Sequence, residues 1–287
     1  MIPAHNEGPV IARLLGRLIG EGAASAAGGN GSELDVIVVS NGSTDGTAQV
    51  AASFGPGVRV LSIPVASKRE ALRAGDRAAA GFPRVYVDAD VELGLPDVRA
   101  LAAALGQPGV LAAAPRRALR TEHSRWLVRW YYDIWSRLPE VQRGLFGRGV
   151  IAVSERGHQR LAALPPLLAD DLAASLSFTP AEREVVAGAC AVVQAPRTLP
   201  DLVRRRVRVV TGVAQIERTA PVGDAAARTR LSDLAGLVRG QPSLAPRVLV
   251  FLAVTLVARL AARRVLARGD YSTWLRDESS RRPAGPG

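Results

Sequence analysis

The sequence predicts an α/β fold, a mostly parallel sheet with flanking helices, followed by a helical C-terminal region. Three observations predict it. Strand-like and helix-like stretches alternate through the first hundred residues, the rhythm of βαβ units. Polar clusters stand where strands should end, at Pro3-Ala4-His5-Asn6-Glu7, Ser40-Asn41-Gly42-Ser43-Thr44-Asp45 and Asp88-Ala89-Asp90. After about residue 115 the alternation gives way to longer helical stretches.

In order, the chain reads as follows. The loop residues begin at Pro3, so little of an opening strand precedes them; a neighbouring strand left uncovered would expose unpaired backbone groups, which favours a coding sequence that starts further upstream. A helix is expected over 8–20, then a Gly- and Ala-rich flexible connector from Glu21 to Ser32. The run Leu34-Asp35-Val36-Ile37-Val38-Val39 is a strand over 34–40, and Ser43, Thr44 and Asp45 read as the N-cap and first turn of a helix over 45–54. A strand over 58–62, a helix over 67–80 opened by Lys68, the strand Arg84-Val85-Tyr86-Val87 within 84–88, a helix over 97–105 and a strand over 109–114 complete the alternating part.

Beyond it, Trp126, Trp130, Tyr131, Tyr132 and Trp135 form an aromatic stripe that is either an acceptor-side wall or plain core, and 149–153 is an apolar segment. The single cysteine, Cys190, excludes an internal disulfide and reads as a buried small hydrophobe. The tail from Asp277 to Gly287 has the composition of a disordered segment.

The 287 residues suffice for one large domain or a domain with an appendage, and the apolar fraction of 48% is ordinary. The net charge of +11 favours anionic partners such as diphosphates or acidic lipid surfaces; it is almost all arginine, since Lys68 is the only lysine. No nucleic-acid recognition module accompanies the charge, which excludes that class of partner. The start lacks a charged stretch followed by an apolar one, so the expected location is cytoplasmic.

The polar clusters carry the chemistry. Open α/β sheets bind ligands outside the carboxyl ends of their strands, so loops from neighbouring strands should converge on one crevice. Asp88 and Asp90 flank one small residue; in extended backbone both side chains project the same way and can reach a divalent cation or a ribose hydroxyl. Mg²⁺ or Mn²⁺ held there would bridge the phosphates of a nucleoside diphosphate. The Asn41 amide can meet a base edge, and Glu7 can accept from a base or ribose, while His5 is a ligand or a neutral turn residue. Lys68 at a helix start suggests a bound anion, with a solvated surface lysine as the alternative.

The segments Ile2-Pro3-Ala4-His5-Asn6-Glu7, Val38-Val39-Ser40-Asn41-Gly42-Ser43-Thr44-Asp45-Gly46-Thr47, Lys68 with Ala71-Leu72-Arg73-Ala74-Gly75, and Val87-Asp88-Ala89-Asp90 with Pro96 resemble the family 2 glycosyltransferases of the GT-A fold. The resemblance implies inverting transfer of a sugar from a nucleotide diphosphate donor; with the apolar C-terminal helix over 244–268, the expected reaction runs from a UDP- or GDP-sugar to a hydroxyl of a lipid-linked or envelope glycan acceptor. It implies a divalent metal, Mg²⁺ or Mn²⁺, at Asp90 with Asp88, and donor contacts at Pro3, Glu7, Asn41 and Lys68. Ala169-Asp170-Asp171-Leu172 looks like the family's Glu-Asp motif, with Asp171 as general base and Asp170 in place of the glutamate. Arg204 and Arg206, in Leu202-Val203-Arg204-Arg205-Arg206-Val207-Arg208, resemble arginines that approach the diphosphate. From the residues alone, Asp170 and Asp171 read better as a helix N-terminus, while the arginines are equally a solvated face. The family usually has two aspartates where this chain has Ser40 and Asn41, so a carboxylate contact to the base is replaced by an amide or lost.

The resemblance divides the chain into a donor-binding part over 1–115, an acceptor-binding part over 116–218 and a C-terminal helical, membrane-associated segment with a flexible tail over 219–287. Within the last, Val248 to Ala258 is an apolar run too short to span a bilayer, followed by Arg259, Arg263, Arg264 and Arg268. Such a helix over 244–268 fits an anionic interface on the inner face of the plasma membrane, where it would bring the site to a lipid-linked acceptor; packing on the catalytic domain or on a second subunit is the alternative. The rival functions are a sugar nucleotidyltransferase, which normally opens with a glycine-rich phosphate loop absent from Pro3 to Glu7, and a non-catalytic nucleotide-sugar-binding protein.

Overall fold

In the computed structural model, residues 1–23, 33–164, 170–219 and 229–267 are described, with side chains over 1–19, 33–164, 172–214 and 229–266. In chain order the elements are β1 (Ile2–Ala4), α1 (Gly8–Ala23), β2 (Val36–Asn41), α2 (Thr47–Ala52), β3 (Val58–Ile63), α3 (Lys68–Ala78), β4 (Arg84–Val87), α4 (Leu95–Leu105) and β5 (Ala112–Arg120). There follow α5 (Trp126–Arg137), α6 (Pro139–Arg143), β6 (Val150–Val153), α7 (Glu155–Ala162), α8 (Asp170–Leu176), β7 (Arg183–Gln194), α9 (Leu199–Thr219), α10 (Leu231–Gly240) and α11 (Ala245–Ala267). The expected alternation is present through β5, which starts at Ala112 and runs on to Arg120, past the boundary expected at 115. The Glu21–Ser32 connector falls partly, and the 277–287 tail wholly, outside the described residues.

The chain divides into two compact units. The first contains Met1–Leu119, Arg148–Leu164 and Phe178–Val193; the second contains Arg120–Gly147, Pro165–Ser177 and Gln194–Gly287. The stretch expected as one acceptor-binding part, 116–218, is therefore shared between them. The physical reason is strand pairing: β6 inserts between β4 and β5, and β7 follows β5, so chain that is distant in sequence completes the first unit's sheet.

In that unit β1, β2 and β3 are parallel, with Ile2 opposite Val38 and Val36 opposite Val58. The Met1 amino group donates to Val85 O (2.8 Å) and Val87 N donates to Met1 O (2.9 Å), which sets β4 parallel beside β1. These bonds join the two strand sets in the order β3-β2-β1-β4-β6-β5-β7. β6 is antiparallel to both β4 and β5.

β2 is buried at every position, as expected of a central strand covered on both faces. Val36 and Val38 point into the core formed with Ile11, Leu14, Leu15 and Leu18 of α1 and Val98 and Leu101 of α4. Ile37 and Val39 meet Ala71 and Ala74 of α3 on the other face. Period-two alternation thus puts neighbouring residues of one strand into two separate apolar layers. Cys190 in β7 is half-buried, less enclosed than the sequence suggested.

The second unit is helical. Tyr131 of α5 stacks on Phe251 of α11 at 5.1 Å, and Val207 of α9 packs with Ala258 and Ala262 of α11. Much of the aromatic stripe is core, with Tyr131 and Tyr132 buried, but Trp126 is exposed.

Candidate active site

The strand order reverses between β1 and β4: from β1 the chain builds outward through β2 and β3, then returns to place β4 on the other side of β1. Such a switch point opens a crevice at the carboxyl ends of the strands, because the loops that leave them diverge. The loops there are His5-Asn6-Glu7 after β1, Gly42 to Gly46 after β2 and Asp88-Ala89-Asp90 after β4.

The first two are laced together. Asn6 takes the left-handed conformation (φ 52°), which asparagine tolerates better than most side chains. Its Oδ1 accepts from Thr44 N at 2.8 Å while its own backbone N–H donates to Ser43 Oγ at 3.1 Å. Glu7 N donates to the buried Thr47 Oγ1 at 2.9 Å, and His5 Nδ1 lies 2.7 Å from Asn41 O. Asp45 caps two helices at once, accepting from Gly8 N (3.1 Å) at the start of α1 and from Thr47 N (3.0 Å) at the start of α2. The capping role expected of this segment is present, but it reaches a helix distant in sequence as well as the next one.

Partial burial would raise the Asp45 carboxyl, yet the hydrogen bonds from the Thr47 hydroxyl and from the Thr47 and Gly8 amides outweigh it and hold the group below its ordinary value. A carboxylate whose folded value is depressed adds stability above the unfolded-state value and loses it as pH falls through the folded one. Asp45→Ala should therefore cost about 1–2 kcal/mol at neutral pH, and less in acid. Urea unfolding at the two pH values measures both; an equal loss at each would show that the charge contributes nothing.

Asn41 is buried. With its amide oriented to satisfy both ends, Nδ2 donates to Ala4 O (2.7 Å) and Oδ1 accepts from Ser67 N (3.2 Å). It clamps the end of β1 to the residue that caps α3, so its amide is engaged by backbone on both sides. Pro3 is half-buried in β1 and Glu7 is buried at the head of α1.

Asp88 and Asp90 are half-buried on either side of a buried Ala89, in a tight turn where Val91 N donates to Asp88 O at 3.1 Å rather than in the extended backbone that the spacing argument assumed. Asp88 Oδ1 accepts from Lys68 Nζ at 2.7 Å. Lys68 is the first residue of α3, whose N-cap Ser67 accepts from Glu70 N. A cation and a helix N-terminus therefore converge beside the carboxylate pair.

The sequence did not show what holds this loop. Asp88 N donates to Gly149 O at 2.8 Å, and Gly149 has φ +64°, where a Cβ would lie 2.4 Å from Val91 Cγ2 and 3.3 Å from Asp88 Oδ2. Gly147 and Gly149 stand at the start of the apolar segment expected at 149–153, and no local signal in the sequence names this partner. Gly149→Ala should destabilise the protein by about 2–4 kcal/mol, adding overpacking to left-handed strain, and displace Asp88. A wild-type urea midpoint for this variant would rule the contact out.

The remaining candidates lie in the second unit. Asp170 and Asp171 open α8, with side chains outside the described part, and α8 is anchored where Ser175 Oγ accepts from Leu145 N at 3.0 Å. Arg204 pairs with Asp201 at 2.9 Å. Arg206 has its Nε buried without a hydrogen-bond partner, and its guanidinium lies 6.0 Å from the centre of the Tyr131 ring. Burial pushes the Tyr131 hydroxyl up to about 12. Among the described residues no group of three or more His, Cys, Asp or Glu side chains could enclose a metal ion. Two carboxylates still fit Mg²⁺ or Mn²⁺, because such ions are commonly held by one or two carboxylates with phosphate oxygens and water completing the shell.

Residues 1–154 match the model of Glycosyl transferase family 2. No curated protein matches the chain. Among solved structures, the mannosyltransferase PcManGT from Pyrobaculum calidifontis, in complex with GDP-Man and Mn²⁺, is similar at 20% identity over 93% of this chain and 77% of that one, with a TM-score of 0.55. Glucosyl-3-phosphoglycerate synthase from Mycobacterium tuberculosis with phosphoglyceric acid shares 20% identity over 78% of this chain and 80% of its own, with a TM-score of 0.52. The same enzyme with Mn²⁺, UDP-glucose and phosphoglyceric acid gives 22% identity over 75% and 77%, with a TM-score of 0.51. At these identities the likeness shows the fold, which is of the GT-A type.

Proposed function

The chain belongs to Glycosyl transferase family 2, and we propose that it moves a sugar, with inversion, from a UDP- or GDP-sugar to a hydroxyl of a lipid-linked or envelope glycan acceptor. The observation that carries the reading is the switch point between β1 and β4, where Asp88 and Asp90 flank a buried residue beside Lys68 and the start of α3. Asp90, with Asp88, would hold Mg²⁺ or Mn²⁺, which when bound neutralises charge on the departing diphosphate. Complexes of similar proteins with GDP-Man and Mn²⁺, or with UDP-glucose and Mn²⁺, support that choice of ligands.

Lys68 offers a further charge to the phosphates. Pro3 and Glu7 line the base and ribose side, and Asn41 shapes it by holding β1 against the start of α3. Asp171 takes the proton of the acceptor hydroxyl as its oxygen bonds to the anomeric carbon, and the carbon–oxygen bond to the diphosphate breaks on the opposite face. Asp170 neighbours this base, and Arg204 and Arg206 supply positive charge to the leaving group.

Thermal unfolding with UDP-, GDP- and dTDP-sugars, each with and without Mn²⁺, tests the reading. At least one donor should raise the midpoint, and more so with the metal. No shift with any of them would sink the proposal.

A further inference from the structure

α11 is apolar on two faces, and the fold uses one of them. Val248, Phe251, Val254, Ala258 and Ala262 are buried and pack on α5 and α9, with Arg247 paired to Asp133. On the other side Leu249 is 67% and Leu256 58% exposed, with Leu252, Val257 and Leu260 also open. Steps of three and four residues align these side chains along the helix. Arg259, Arg263 and Arg264, all exposed, continue the surface toward the C-terminal end, and α11 has no acidic residue.

We propose that this outer face of α11 docks on an anionic bilayer surface, with Leu249, Leu256 and Leu260 at the acyl boundary and Arg259, Arg263 and Arg264 on the lipid phosphates. The sequence put the apolar run at about half the length of a span, but the helix continues, and Pro242–Leu266 is long and apolar enough to cross a membrane. Packing argues against crossing. The inner face is held by α5 and by α9, which carries Arg204, Arg205, Arg206 and Arg208; a spanning α11 would have to leave these partners or draw charged side chains into hydrocarbon. A second copy is disfavoured because two such faces would bring arginines together with no carboxylate on α11 to meet them.

Insofar as this names the surface that meets a lipid-borne acceptor, it rests on the transferase reading; the docking itself does not, and the two fail in different assays. The test floats the full chain with vesicles of phosphatidylcholine alone or mixed in equal parts with phosphatidylglycerol. The wild type should float with the anionic vesicles and be released by salt. Leu256→Asp, and Arg263→Gln with Arg264→Gln, should each lower vesicle affinity at least about tenfold, with the thermal midpoint unchanged because all three positions are exposed.

Docking is overturned by a wild type that stays with the unbound protein, by equal flotation with both vesicle types, or by variants that float like the wild type. A wild-type dimer that Leu256→Asp turns into a monomer, with vesicle binding unchanged, would assign the face to a second copy instead. Donor-dependent thermal shifts are the separate readout: their absence in the wild type counts against the transferase reading alone, and Leu256→Asp should keep them.

Discussion

Asp171→Asn should lower sugar transfer roughly a hundred- to ten-thousandfold, the range that a positioned general base contributes, and leave donor binding as it was. The substitution keeps the side chain's shape and removes only its ability to accept the acceptor proton. Asp171 stands in the first turn of α8, where the helix dipole favours a carboxylate; losing that charge costs about 0.3–1 kcal/mol, too little to unfold the protein. Asp170→Asn loses the same dipole term, so it is the matched control and should retain much more activity. Single-turnover transfer, with donor binding followed by thermal shift, separates the steps. Full activity in Asp171→Asn, or equal losses in the two variants, would move the base elsewhere.

Asp90→Ala is expected to abolish the metal-dependent part of donor binding. Lys68 Nζ holds the Asp88 carboxylate and Gly149 O holds the Asp88 backbone, and Asp90 is the second carboxylate of the pair, across a buried alanine. A donor present at about a hundred times its dissociation constant stabilises the folded state by about 2.7 kcal/mol, or a few degrees in a chain of this size. In the wild type that shift should require Mn²⁺ or Mg²⁺ for most of its size. In Asp90→Ala it should be the same with and without metal, retaining only what Lys68 and the β1 and β2 loops contribute. Equal metal-dependent shifts in both proteins would remove the cation from this pair.

Much of the first unit was legible because its elements announce themselves locally. The run at Val36–Val39 is apolar on both faces, and a parallel central strand is the usual setting for such a run. What the sequence left open is the partner each polar group meets in the fold. Asn41 has the chemistry to meet a base, yet folding brings it between Ala4 O and Ser67 N. Arg206 belongs to an arginine cluster that reads equally as diphosphate contacts or a solvated face, and helical phase turns its Nε inward, with the guanidinium 6.0 Å from the Tyr131 ring. The apolar run near the C-terminus was counted without the Arg-containing turns that continue the same helix.

Strand and helix periodicity, the polar turns at strand ends and the family resemblance were all readable from residues near one another in the chain, because backbone sterics and burial act over a few positions. The division into two units, the insertion of β6 between β4 and β5, the grip of Gly149 on Asp88 and the uncovered face of α11 required the folded chain. Each of these depends on hydrogen bonds or packing between segments far apart in sequence, and no local pattern specifies which distant surface a given face will meet.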